Sequence, residues 1–292
     1  MKTLKYIATL LFWVIICSAE AQISKTNTEI NINYVPLGSS DITFSSVEFK
    51  KRIKTFKLSE DNTSFLRFGL AFSGADIEHE ESNEINKHLE DFFRVGLTFD
   101  YIKTLNKKWG VLGVLRPRLS SNFSTGVTSD DFNIFGLLAL NFQNSENSKF
   151  TFGVMYANTF GSSLPLPYIN YWKRFNEKWE MNIGFPRTGL TTTLSDRVKI
   201  HSFLELQGYS SNISKNIKND KFIDNRTAER MNYKDSSVGL EYEYRFNKWI
   251  LKTKAGYTLK REFTLESGDD EIAYEFSVDK NLFVGLSFGL NL

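Results

Sequence analysis

The chain has 292 residues, and its 36 Lys and Arg stand against 34 Asp and Glu. That near-neutral balance excludes the basic footprint of a nucleic-acid binder, and a single cysteine excludes a disulfide framework within the chain. Aromatic content is 15%, with 26 Phe and 12 Tyr, yet mean hydropathy is negative; a bundle of membrane helices would not average out as polar, whereas strands alternating lipid-facing with interior-facing side chains do.

Residues 1–21 read as an export signal. Lys2 and Lys5 precede an apolar run from Ile7 to Cys17, and Ala19-Glu20-Ala21 gives the small-x-small pattern of a cleavage site. The run is far short of the ~20 residues of a spanning helix, and Ile16 before Cys17 is unlike a lipidation signal. Cleavage would start the mature chain at Gln22 and remove the only cysteine, and with it any thiol nucleophile or thiolate metal ligand. Without Lys2, Lys5 and Glu20 the charges are 34 against 33.

From Thr28 onward the texture is that of strands, with successive side chains on opposite faces. The first strand is expected near Thr28 to Tyr34. Leu66, Phe68, Leu70 and Phe72 alternate with smaller or polar residues, and Phe93, Val95, Leu97, Phe99 and Tyr101 alternate with Arg94, Gly96, Thr98 and Asp100. The turn Leu105-Asn106-Lys107-Lys108-Trp109 returns as Phe175-Asn176-Glu177-Lys178-Trp179 and as Phe246-Asn247-Lys248-Trp249. Trp109, Trp179 and Trp249 therefore each follow a short polar turn, where an amphipathic ring can rest at a headgroup boundary. Related turns lie at Asn144 to Lys149 and at Ser195 to Arg197.

Trp179, Met181, Ile183 and Phe185 are separated from Leu190 to Leu194 by Pro186-Arg187-Thr188-Gly189, which makes one strand or two and sets the total at 12 to 14. Val238, Leu240, Tyr242, Tyr244 and Phe246 alternate with Gly239, Glu241, Glu243 and Arg245, and Leu282 to Leu292 repeats the pattern. The segments Ala75 to Asp91, Ser120 to Asp131 and Ser211 to Lys234 are longer and more polar, and they are expected as extracellular loops. The fold class is all-β: a closed antiparallel up-and-down transmembrane β-barrel over 22–292, with short periplasmic turns. Pairing of the first strand with the last would leave no open edge. The alternative is a soluble β-sandwich or internal-ligand barrel, which at this length should show Gly/Pro-rich corners and Greek-key spacing.

Several short stretches carry a family likeness: Ala21-Gln22, Lys108-Trp109 through Leu115-Arg116-Pro117-Arg118-Leu119-Ser120, Asp130-Asp131-Phe132, Leu164-Pro165-Leu166-Pro167-Tyr168, Gly184-Phe185-Pro186-Arg187 and Leu194-Ser195-Asp196-Arg197. In that order the chain resembles a family of bacteroidete outer-membrane barrels known only as a domain of unknown function. The resemblance implies a barrel and brings no substrate or catalytic residue. Such barrels commonly end in an aromatic residue read by the insertion machinery; this chain ends Gly289-Leu290-Asn291-Leu292, with Phe288 the nearest aromatic.

Interior-facing parity assigns Arg94, Asp100, Lys199, His201, Glu205, Glu241, Glu243, Lys252 and Lys254 to the lumen. A two-residue turn at Asn247-Lys248 would set Glu243 opposite Lys252 and Glu241 opposite Lys254, with Tyr242, Tyr244 and Leu251 facing lipid. An enzyme needs a nucleophile and a base, or metal ligands, within reach of each other. His79 and His88 fall in an expected solvated loop, and His201 reads as a polar lumen residue. Asp76, Glu78, Glu80, Glu81 and Glu84, and again Asp269, Asp270 and Glu271, read as hydrated loops without EF-hand spacing. No cofactor or metal is expected, and the chain reads as a non-enzyme. It is expected to be a passive channel or a small-solute transport or binding barrel, and alternatively a structural or adhesive envelope protein acting through its loops. Expected partners are outer-membrane lipid, a small solute, the barrel-insertion machinery, and lipopolysaccharide phosphates against the cations of Ser211 to Lys234.

Overall fold

In the computed structural model the described residues are 27–35, 42–79, 85–157 and 164–291; the expected export signal lies outside them. The strands are β1 (Asn27–Val35), β2 (Ile42–Lys57), β3 (Ser64–His79), β4 (Asp91–Thr104), β5 (Trp109–Ser121), β6 (Phe132–Ser145) and β7 (Ser148–Ala157). There follow β8 (Leu164–Arg174), β9 (Trp179–Gly184), β10 (Arg187–Ser195), β11 (Val198–Lys218), β12 (Thr227–Phe246), β13 (Trp249–Glu266), β14 (Ile272–Phe276) and β15 (Leu282–Asn291). Strands β1 to β13 pair antiparallel with their successors, and β15 closes the ring by pairing with both β13 and β1. The ring has 14 strands; β14 only extends the upper end of β13. The upper end of the expected range is realised because β9 and β10 are separate strands meeting at Phe185-Pro186. At the closing seam Thr28 faces Leu290 and Tyr34 faces Val284.

The recurring Asn of the short turns has a local cause. The Asn106 Oδ1 accepts from the backbone N–H of Lys108 (2.9 Å) and of Trp109 (3.0 Å), and Asn176 does the same for Lys178 and Trp179, both at 2.9 Å. A side-chain carbonyl thus replaces a turn of backbone bonding. At the tighter third turn Asn247 itself takes the left-handed conformation, φ +52°, which asparagine tolerates better than most residues.

Alternation along the strands divides two environments. Leu138, Leu240 and Ile169 are 66%, 59% and 59% exposed on the outer face, whereas Ala139 and Glu241, their neighbours in sequence, are buried inward.

The wall is uneven in height. Strands β9 and β10 hold 6 and 9 residues, while β11 holds 21. Pairing of β8 with β9 stops at Asn170–Gly184, and that of β10 with β11 at Arg187–Glu205. Above those points β8 and β11 each have a free edge, and unpaired edge groups away from water are costly. On β8, Ile169 O accepts from Phe185 N at 3.2 Å, so the alternate residues 167 and 165 point the same way; they are Pro167 and Pro165, which have no N–H to leave unpaired.

On β11, Leu206 N donates to Pro186 O at 2.9 Å, so the carbonyls of Ser210 and Asn212 face the gap. Ser210 O accepts from Arg94 Nη2 (2.8 Å) and Ser120 Oγ (3.2 Å), and Asn212 O accepts from Ser121 Oγ (3.3 Å). β4 and β11 are seven strands apart in either direction round the ring. Opposite walls therefore meet across the interior, and Asn212 even pairs in parallel with Ser121.

Above this polar seam lies an apolar cap in which Ile77, Leu89, Phe92, Ile213, Met231, Phe263 and Leu265 are fully buried. The expectation of an extracellular loop over Ser211 to Lys234 is thereby corrected: β11 continues to Lys218, β12 starts at Thr227, and the hairpin's apolar residues build the cap. A register shift between Asn212 and Ile217 breaks the alternation that would have announced a strand. The expected loop from Ala75 is shortened likewise, since β3 runs on to His79. His79 is not solvated there: its ring lies 5.8 Å from Phe276 and 6.4 Å from Phe263. His88 is half-buried in a 3-10 turn, Asn86–His88. Glu80, Glu81 and Glu84 lie outside the described residues. Asp270 and Glu271 are exposed, as expected, and also form ion pairs with the hairpin, Arg230 to Asp270 at 2.6 Å and Arg226 to Glu271 at 2.9 Å.

Candidate functional site

The β12–β13 hairpin turns at Asn247-Lys248, with Phe246 opposite Trp249. The register then sets Glu243 opposite Lys252 and Glu241 opposite Lys254. Each such cross-strand pair contributes only ~0.2–1 kcal/mol, but the contacts extend beyond pairs. Lys252 Nζ lies 3.8 Å from Glu241 and 3.6 Å from Glu243, Arg245 Nε donates to Glu243 at 2.6 Å, and Lys254 Nζ reaches Glu205 on β11 at 3.4 Å. From β10, Arg187 bridges Glu205 and Glu241, each at 3.4 Å. Lys254–Glu205 and Arg187–Glu241 each skip a strand, a contact available only on the concave face of the ring.

Arg187, Glu205, Glu241, Lys252 and Lys254 border an interior chamber of about 340 Å³, completed by Glu29 and Asn31 of β1 and by Glu48 and Lys50 of β2. Lys50 Nζ donates to Glu48 at 2.6 Å and Asn31 Nδ2 to the same carboxylate at 3.3 Å. The chamber carries both charge signs, almost all compensated, and suits a hydrated polar solute.

Of the residues singled out by sequence, Glu205, Glu241, Lys252 and Lys254 border the chamber, and Glu243 joins the same network. His201 lies alongside: its Nδ1 is 2.8 Å from Thr191 Oγ1 and its Nε2 3.7 Å from Glu243. Lys199 faces Glu243 in register. Arg94 and Asp100 stand apart on β4, Arg94 in the polar seam and Asp100 opposite Arg67. Arg187, Glu48, Lys50 and Glu29 are not among the sequence-predicted lumen residues, although the alternation of Glu29, Asn31 and Asn33 with Ile30, Ile32 and Tyr34 carries the signal. Trp109, Trp179 and Trp249 each open a strand at the short-turn end. Trp249 stacks on Phe288 at 4.6 Å, and Trp109 lies 4.8 Å from Phe142.

The hydroxyl on His201 belongs to a threonine, and Glu243 beyond it already holds Arg245 and Lys252. Among the described residues no group of three His, Cys, Asp or Glu is arranged to hold a metal ion.

A family model described as Domain of unknown function (DUF6268) matches residues 17–292. The chain belongs to that family. No curated protein matches this DUF6268 chain in sequence. Among solved structures it is similar to an outer membrane channel from Pseudomonas putida F1, at 11% identity and TM-score 0.46 over 93% of this chain and 97% of that one. It is also similar to a Pseudomonas aeruginosa FadL homologue, at 9% and 0.48 over 92% and 91%, and to the toluene transporter TodX of P. putida, at 10% and 0.41 over 93% and 91%. The likeness is one of barrel architecture, and no ligand is carried over from it to the DUF6268 barrel.

Proposed function

We propose that this DUF6268 protein is an outer-membrane barrel that holds and passes a small polar solute through its charged interior, with its mouth closed in the state described here. The observation that carries the reading is the division of environments: large apolar side chains stand exposed round the outside while buried Glu241 and Glu243 face inward. In water the outer belt would be a cost; in lipid it is the favourable face, and ring closure pairs the first strand with the last. Lipid is the belt's partner, with Trp109, Trp179 and Trp249 at the periplasmic headgroups and β15 offered to the insertion machinery. The export signal in residues 1–21 belongs to the same reading. Lys215, Lys218 and Lys221 are exposed on the β11–β12 hairpin, placed for lipopolysaccharide phosphates.

The contact of opposite walls at Arg94 and Ser210 favours a second reading, a sealed structural or adhesive barrel working through its cap. Membrane fractionation together with gel migration of unheated and heated samples tests what both share. The protein should stay with the outer membrane and migrate faster unheated. Recovery from the periplasm without detergent would end both readings.

A further inference from the structure

Charge is unevenly placed inside the ring. Around the chamber the cations Arg187, Lys252 and Lys254 are matched by Glu29, Glu205 and Glu241. On the other wall β2 to β5 turn Lys50, Arg52, Arg67, Arg94, Arg116 and Arg118 inward against Glu48 and Asp100. Four of these cations, Lys50, Arg94, Arg116 and Arg118, line one hollow of about 80 Å³ beside Ser73 and Thr98, with Glu48 the one carboxylate lining it among the described residues. One water needs ~10–15 Å³ by such a measure, so the hollow has room for an oxyanion group and not for a sugar ring.

Neutral groups orient Arg94 and Arg116, and Asn133 holds Arg118. Arg94 donates to Ser120 Oγ at 3.1 Å and to Ser210 O at 2.8 Å, with its face on the Tyr209 ring at 3.3 Å. Arg118 Nε donates to Asn133 Oδ1, and Arg116 lies over Phe135 at 5.3 Å. Gly96 lets Arg118 approach closely across the β4–β5 pair, since a Cβ there would come within 2.7 Å of both Arg118 Cβ and Pro117 O. Glu48 and Lys50 border both the hollow and the chamber, so the two adjoin.

We infer that this hollow binds the carboxylate or phosphate group of a small anionic solute whose remainder occupies the chamber. Guanidinium forks match the paired oxygens of both groups, and low-dielectric walls concentrate the field of the excess cations. The inference rests on the solute-holding reading above and names the ligand class for it.

Full-length protein folded in detergent is titrated calorimetrically with inorganic phosphate and, separately, with succinate; folding of every variant is checked by heat-modifiable migration. At least one titrant should bind saturably, more weakly as KCl is raised, and about tenfold or more weakly in Arg116→Gln and in Lys50→Gln, the loss of one charged hydrogen bond. Lys199→Gln, inward but away from the hollow, should bind as the wild type does. Which titrant binds assigns phosphate or carboxylate. Absence of saturable binding of both by the folded wild type, or equal binding in the folded variants, overturns the inference. Conductance plays no part in the measurement, so its failure leaves the channel reading intact.

Discussion

Leu240 and Lys252 lie on adjacent strands of one hairpin and face different media. Leu240 is 59% exposed on the outer belt, six residues above the turn-side Phe246 and so near the middle of the ~10-residue span. A cation on the lipid face at that depth costs ~2–4 kcal/mol. Lys252 is one-third exposed in the interior, and its partners Glu241 and Glu243 retain Arg187 and Arg245; its loss should cost under ~1 kcal/mol. Urea titrations of variants refolded into bilayers should therefore place Leu240→Arg well below Lys252→Gln in stability, and the reverse order would show that the faces have been exchanged. The pairs Glu243–Lys252 and Glu241–Lys254 are legible in the sequence because a two-residue turn leaves one register. Arg187 and Glu48 are not, because their partners arrive from strands brought near only when the ring closes.

The cap over β3, β11, β12 and β13 behaves as an element of its own, and its pH response follows from His79. β3 starts at Ser64 and ~10 residues cross a bilayer, so His79 stands beyond the span. Burial beside Phe263 and Phe276 pushes its imidazole down to about 4, from 6.5. The opened cap binds the proton more readily than the closed one, so closure is fully stable above about 6.5 and loses stability as pH falls towards about 4. Limited proteolysis of the 213–230 segment should accelerate between pH 7.5 and 5, and His79→Phe should remove most of that acceleration. An unchanged pH dependence in the variant would assign the response to other groups. The sequence hides this element for a physical reason: Ile213, Ile217, Phe222, Ala228 and Met231 follow neither a strand nor a helix period, because the register shift resets β11 and the core draws from seven strands. By contrast the barrel wall, to within 12 to 14 strands, and the β1–β15 seam are visible in the alternation, which each strand must keep to face two media at once.

At the scale of the whole molecule, strand number and lumen disagree until the low wall is considered. Eight strands leave an interior that side chains fill, and ~16–18 leave an aqueous channel, so a round ring of 14 has space to conduct. Here the short β9 and β10 strip β11 of a neighbour, and its carbonyls find donors on the far wall at Arg94, Ser120 and Ser121. Closure is thus a consequence of hydrogen-bond satisfaction, and disturbing the cap above the seam should reverse it. Ile213 and Met231 have no exposed surface; an aspartate at either site must leave or carry an unpaired buried charge, which costs several kcal/mol. The cap stands above the lipid belt, so Ile213→Asp and Met231→Asp should keep the wild type's heat-modifiable migration while the hairpin lifts from the mouth. In planar bilayers the wild type should hold a closed baseline, and each variant should conduct in steady steps. Steady conduction by the wild type would deny that the seam closes the lumen, and variants that fold yet stay sealed would favour the structural barrel over the solute path.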